Sequence, residues 1–263
     1  MTGVDAAILG FIQGATEFLP ISSTGHLVLA QQLLGLETDT FTFDIFLHFA
    51  TLVAVFLFFW KDLLKLRPRD FVPILIASIP AGVIGVLFND AIEQLSASLH
   101  TTGWEMLVTA GLNFGCAYLL TKTSKTATEN TDTPSLRDIP AKQAGIVGLF
   151  QAFAMLPAVS RSGATVFGGL WTGLDRKTAF KFSFIISIPA ILGANLLEIL
   201  KVVKDNGQFP EAGLMLIGAL VSLVVGLASL YLLKYMINHA QFHWFGWYCL
   251  ILGVGIIGFQ FLG

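Results

Sequence analysis

Gln13-Gly14-Ala15-Thr16-Glu17-Phe18-Leu19-Pro20-Ile21-Ser22-Ser23-Thr24-Gly25-His26 interrupts an apolar stretch, about 4–35, that would otherwise read as one long helix. Proline removes a backbone donor and clashes with the preceding turn, while glycine loosens the chain. The stretch therefore predicts two half-helices joined by a polar turn. A second apolar stretch, about 143–174, breaks in the same manner at Leu156-Pro157-Ala158-Val159-Ser160-Arg161-Ser162-Gly163. Non-helical backbone at membrane depth survives only where protein or a wet cavity covers it.

The rest of the chain places both breaks in a membrane protein. Of 263 residues, 55% are hydrophobic and 12% charged, about half the charge of an ordinary soluble domain. The mean hydropathy is +0.76. Continuous apolar runs at about 42–60, 71–90, 103–121, 182–200, 211–233 and 244–262 each approach the ~20 residues a helix needs to cross a bilayer. They lack the period-two alternation of a β-barrel. A net charge of −2 points to no nucleic-acid partner. Cys116 and Cys249 fall inside apolar runs and read as small buried hydrophobes. The first basic residue is Lys61, so no positive n-region of a cleavable signal is expected.

If each broken stretch dips in and returns to its own side, the basic residues sort by the positive-inside rule. Lys61, Lys65, Arg67 and Arg69 share one side with Lys122, Lys125, Arg137, Lys142, Arg176, Lys177, Lys181 and Lys234. Only Lys201 and Lys204 fall opposite, twelve against two. Both termini are then expected on the outer side of the membrane. Arg161 is left over, inside the second break.

The two breaks also match each other at an offset of 138. Gly10, Gln13, Ser22, Thr24 and Gly25 fall on Gly148, Gln151, Ser160, Ser162 and Gly163. A weaker match pairs Ile76-Ala77-Ser78-Ile79-Pro80-Ala81 with Ile185-Ile186-Ser187-Ile188-Pro189-Ala190, at an offset of 109. Each half holds one re-entrant stretch and three spans, an odd number, so the halves should be inverted copies whose broken helices meet near the midplane. The expected fold is an all-α integral membrane protein: six transmembrane helices plus two re-entrant helix–turn–helix segments in an inverted repeat. It forms a single domain, 1–263, with repeat one at about 4–121, a cytoplasmic loop at about 122–142, and repeat two at about 143–263.

Glu17 is ionisable inside an apolar stretch, which is costly and points to function; tying down the turn at Ser22–Ser23 is its plain structural use. Gln13 lies four residues earlier on the same helical face. Ser22, Ser23, Thr24, Gly25 and His26 precede a half-helix, as do Ser160, Ser162 and Gly163. Backbone N–H groups at a helix start can cradle an anion, or the serines can simply cap the helix. Arg161 offers a planar fork of donors suited to phosphate, and an ion pair with Glu17 is its structural alternative. Met155, Arg161 and Ala164 stand where Glu17, Ser23 and His26 stand in the first copy. One half thus reads as reactive and the other as an anion clamp. Asp44 and His48 share a face and are open candidates for the cavity. Asp90 and Glu105 are expected to be solvated at outer span ends.

The segment Gln13–His26 resembles the first signature of the bacterial undecaprenyl-pyrophosphate phosphatase, or bacitracin-resistance, family. Pro157-Ala158-Val159-Ser160-Arg161-Ser162-Gly163-Ala164-Thr165 looks like its second. The resemblance implies a membrane enzyme that removes the terminal phosphate of undecaprenyl pyrophosphate, recycling the lipid carrier of cell-wall synthesis. It implies a divalent cation, Mg²⁺ or Ca²⁺, near Glu17 and Gln13, although the family's first carboxylate position is here Gln13. Carried over by position, Glu17, Ser23, His26 and Arg161 are the central residues, with Ser23 attacking and His26 as its base, or His26 itself attacking. A homodimer is left open. The reading from a different class is an inverted-repeat transporter or flippase for an anionic lipid or solute.

Overall fold

The computed structural model describes residues 1–36, 40–96, 99–123, 135–204 and 211–262. Among these there are ten α-helices and no strand. The first break separates α1 (Gly3–Phe18) from α2 (Ser23–Leu33), and the second separates α6 (Ala141–Phe153) from α7 (Arg161–Trp171). Long helices follow each pair: α3 (Thr40–Leu63), α4 (Phe71–Ser96) and α5 (Leu99–Thr123), then α8 (Arg176–Lys204), α9 (Ala212–Asn238) and α10 (His243–Leu262). Five are long and apolar enough to cross a membrane. The sixth expected span, α5, has the length but is diluted by Thr101, Thr102, Glu105, Thr109 and Asn113. Outward faces carry exposed side chains such as Leu87, Val224 and Ile251, a surface suited to lipid and not to water. The chain is a multi-pass membrane protein.

Several boundaries differ from the expected ones. Helix α8 starts at Arg176 because Asp175 Oδ1 accepts the N–H groups of Lys177 and Thr178, both at 3.0 Å. Helix α4 runs on to Ser96, past a non-helical Phe88. Of the expected loop 122–142, residues 124–134 lie outside the described residues, as does the side chain of Asp90.

The 138-residue match extends through both helix–turn–helix segments. Adding 138 to the ends of α2 gives those of α7. Ser22 and Ser160 each cap their helix by accepting an N–H, from Gly25 at 3.3 Å and Gly163 at 3.2 Å. The far ends agree too. Leu36 N–H donates to Gln31 and Leu174 N–H to Gly169, each at 3.0 Å, around Gly35 (φ 64°) and Gly173 (φ 92°). This is the wrapped C-cap that needs a left-handed residue. The shorter match at offset 109 has a different meaning. Its two copies lie in α4 and α8, which hold different places in the helix order, so it is no part of the repeat.

The halves grip each other instead of standing apart. Helix α1 runs alongside α9 in the same direction: a Cβ on Gly10 would come within 2.4 Å of Gly218 O, and one on Gly14 within 2.6 Å of Ser222 O. Its counterpart α6 lies against α4 likewise, Gly148 facing Ala77 O at 2.6 Å. Small residues let backbones approach this closely. Helices α5 and α10 pair antiparallel, Gly103 against Gly253 and Phe114 against Gly246. Around Phe18, an aromatic cluster of Phe59, Phe180 and Phe184 joins α1, α3 and α8, seating the end of α1 that carries Glu17.

Candidate active site

The two turns meet in the interior. Ser22 Oγ donates to Pro157 O at 3.2 Å, and a Cβ on Gly163 would sit 3.2 Å from Pro20. Ser22 holds φ 67° and ψ 107°, a strained backbone for a residue with a Cβ. It persists because its hydroxyl and carbonyl are both engaged, the carbonyl facing His26 Nδ1 at 2.6 Å.

From this junction the chain brings together residues of both halves. Glu17 lies at the centre and is 9% exposed. Arg161 Nη2 donates to its Oε1 at 2.5 Å. Its Oε2 accepts from Ser23 Oγ at 2.7 Å and from Gln13 Nε2 at 3.2 Å. His48 Nε2 stands 3.7 Å from the same oxygen. Among the side chains bonded to Glu17, Arg161 Nη1 and Gln13 Oε1 remain buried without a partner.

Some expected roles shift. Ser23 pairs with Glu17, not with His26. Both His26 ring nitrogens are engaged, Nδ1 by Ser22 O and Nε2 by Tyr248 Oη at 2.6 Å, with the two rings stacked. An Nδ1–H donating to the carbonyl makes Nε2 the acceptor of the tyrosine hydroxyl. The capping use of Ser22 and Ser160 is the one seen, so the Gly25 and Gly163 N–H groups are spent within their turns. Ser162 is buried with its hydroxyl 3.1 Å from Ser160 Oγ. Thr24 is half-buried beside Ser23.

Of the paired candidates on α3, only His48 reaches the site. Asp44 instead accepts both bonds from Gln31 Nε2, at 3.0 and 2.9 Å, and its carbonyl faces His48 Nδ1 at 2.8 Å. Glu105 is not solvated: it is 8% exposed and its Oε2 accepts the Ala158 N–H at 2.7 Å. Sequence reasoning placed it by its distance from a span end, and the second turn reaches it there. Tyr248 was missed altogether. Nothing in its own stretch of α10 marks it, since its partner lies 222 residues away.

Chemically, the arrangement is a buried carboxylate that accepts from a serine hydroxyl and is neutralised by a guanidinium with a spare donor edge. That set can bind an anion and take a proton from a hydroxyl. The family described as bacitracin resistance protein BacA matches residues 6–255. An undecaprenyl-diphosphatase of Halothermothrix orenii is 38% identical over 95% of each chain. Undecaprenyl-diphosphatase 4 of Bacillus cereus is 39% identical over 99% of this chain and 98% of its own. An undecaprenyl-diphosphatase of Methanosphaera stadtmanae is 38% identical over 95% of each. With a match along nearly its whole length and both turns inside it, the chain belongs to the bacitracin resistance protein BacA family.

Proposed function

We propose that the chain is an integral-membrane phosphatase that hydrolyses undecaprenyl pyrophosphate to undecaprenyl phosphate and inorganic phosphate. The relatives' names supply the substrate and favour a hydrolase over a transporter. One observation in the site carries the reading: Arg161 holds Glu17 with one amino group and keeps Nη1 buried without a partner. A buried unsatisfied donor costs about 1–3 kcal/mol, and a phosphate oxygen satisfies it with a charge-assisted bond.

In the first step Ser23 Oγ attacks the terminal phosphorus and its proton passes to Glu17, already 2.7 Å away. The Oγ–P bond forms as the bond from phosphorus to the bridging oxygen breaks, and undecaprenyl phosphate leaves with that oxygen. Arg161 stabilises the charge on the transferring phosphoryl group. Water then attacks the phosphorus, His26 Nε2 taking its proton once it leaves Tyr248, and the Oγ–P bond breaks as Glu17 returns its proton to Ser23 Oγ. His26 as the nucleophile would require that nitrogen to leave Tyr248 before the first step. Rapid quench with substrate labelled in the terminal phosphate should place the label on Ser23. Label on His26 would replace this route, and label on neither would eliminate a covalent intermediate.

A divalent cation, Mg²⁺ or Ca²⁺, is part of the proposal. Gln13 Oε1, buried and unpartnered beside Glu17, is the kind of hard oxygen such ions take together with carboxylate and phosphate oxygens. Glu17 and Gln13 would hold the ion, which when bound supplies positive charge against the pyrophosphate. Among the described residues no group of three His, Cys, Asp or Glu could hold a metal ion, and substrate phosphate oxygens would supply the ligands beyond Glu17 and Gln13. The sidedness is proposed likewise: a bacterial inner membrane, six crossings, two re-entrant segments and both termini periplasmic. The charge sorting supports it.

A further inference from the structure

Glu105, Thr109 and Asn113 of α5 are spaced four apart and so lie on one helical face. All three are buried, at 8%, 0% and 0% exposure. Each is bonded to the backbone of a turn. Glu105 Oε2 accepts Ala158 N–H at 2.7 Å. Thr109 Oγ1 donates to Ala158 O and accepts Ser160 N–H, both at 3.1 Å. Asn113 Nδ2 donates to Pro20 O at 2.6 Å. The stripe therefore holds turn two by its lower rungs and turn one by its upper rung. Ser160 directly precedes Arg161, and Pro20 lies midway between Glu17 and Ser23. Beside Asn113 on the neighbouring α10, the Cys249 thiol donates to the same Pro20 O at 3.7 Å.

We infer that Glu105, Thr109 and Asn113 are positioning residues of the phosphatase reaction. They fix the register between the two turns and so set how Arg161 meets Glu17 and Ser23. Backbone groups of an irregular turn at membrane depth have no water to fall back on, so each rung removes an alternative place for the turn to sit. The inference rests on the functional reading above.

The test uses full-length protein in detergent: Thr109→Val and Glu105→Leu, with Thr109→Ser and Glu105→Gln as rescues that keep an oxygen in place. Hydrogen exchange in the segment 154–164 and the thermal midpoint accompany kcat and KM. A misplacement on the 1 Å scale costs up to about 100-fold, so the first two variants should lose about 10- to 100-fold in kcat with KM within about twofold. Exchange should quicken in that segment, and the rescues should behave as wild type. Wild-type kcat per folded molecule in Thr109→Val and Glu105→Leu would overturn the inference, as would a loss that neither rescue restores. If wild-type protein releases no phosphate, the functional reading fails separately. Positioning is then read from binding of inorganic pyrophosphate: weakening by Thr109→Val but not by Thr109→Ser supports it, and equal binding overturns it.

Discussion

Glu17 accepts from three side chains drawn from both turns and from its own helix, so removing any one leaves a buried carboxylate short of partners. Arg161→Ala should lower kcat/KM on a polyprenyl pyrophosphate by about 10²- to 10³-fold, the usual cost of losing a charge-stabilising donor. Arg161→Lys should recover only part of this, because a point charge lacks the two-pronged edge. Steady-state phosphate release measures both. Tyr248→Phe makes a different prediction. With His26 Nε2 already free of the tyrosine hydroxyl, the second step should quicken and less labelled phospho-enzyme should stand at steady state, while Ser23→Ala should abolish the label. At this scale Glu17, Ser23 and Arg161 were legible because a polar residue in an apolar run announces itself. His48 was an open candidate, but Tyr248 and Glu105 were not legible, because each reaches the site or its turns from a helix distant in sequence. The pairing of Ser23 with Glu17 was open as the carboxylate tying down the Ser22–Ser23 turn, but sequence order, with His26 nearer to the serine, did not choose it.

Helices here are placed by what they lack as much as by what they carry. Gly10→Ala would drive a methyl group to 2.4 Å from Gly218 O, a backbone atom that cannot turn aside. It should destabilise the fold by about 1–3 kcal/mol. Gly82→Ala, with nothing within 4 Å of the added carbon, should be neutral or stabilising by up to about 1 kcal/mol through helix propensity. Thermal unfolding in detergent compares the two. The broken pairs were readable from proline and glycine, and their offset of 138 proved more extensive than five matched residues suggested. Gly35 and Gly173 extend it to the helix ends. The Ser-Ile-Pro match misled because a proline two residues after a serine can recur in any mid-helix bend. Ser78 and Ser187 each bond back to a carbonyl of their own helix, Ile74 and Phe184.

Across the molecule, the charge distribution and the re-entrant reading stand or fall together. Single cysteines replacing Ser135 and Thr2 should label from opposite faces of the membrane in intact cells and inverted vesicles; labelling from the same face would refute the sidedness. Asp70 ties the starts of α4 and α6 together by accepting from Ser135 Oγ at 2.7 Å and from the N–H groups of Arg137 and Arg67, at 2.9 and 2.8 Å. Arg176 likewise ties α8 to α9 by donating to Asn238 O at 2.8 Å, and it also reaches Leu120 O on α5. A chelator should suppress turnover reversibly, with Mg²⁺ or Ca²⁺ restoring it, and leave the thermal midpoint nearly unchanged, because the proposed ion is completed by substrate. Restoration of activity by neither ion would remove the cation from the mechanism.

The close seating of α1 on α9 bears on how the protein is made. Helix α1 leaves the ribosome before α9, so the surface it needs is translated well after it. Until then Gln13 and Glu17 have neither α9 nor Arg161 beside them, and a carboxylate facing lipid is costly. Something must shelter that first hairpin during most of synthesis, whether the insertion machinery or a shallow position at the membrane surface. A fragment ending after α5 should therefore be cleared by proteolysis, and supplying residues 135–263 as a separate chain should rescue it.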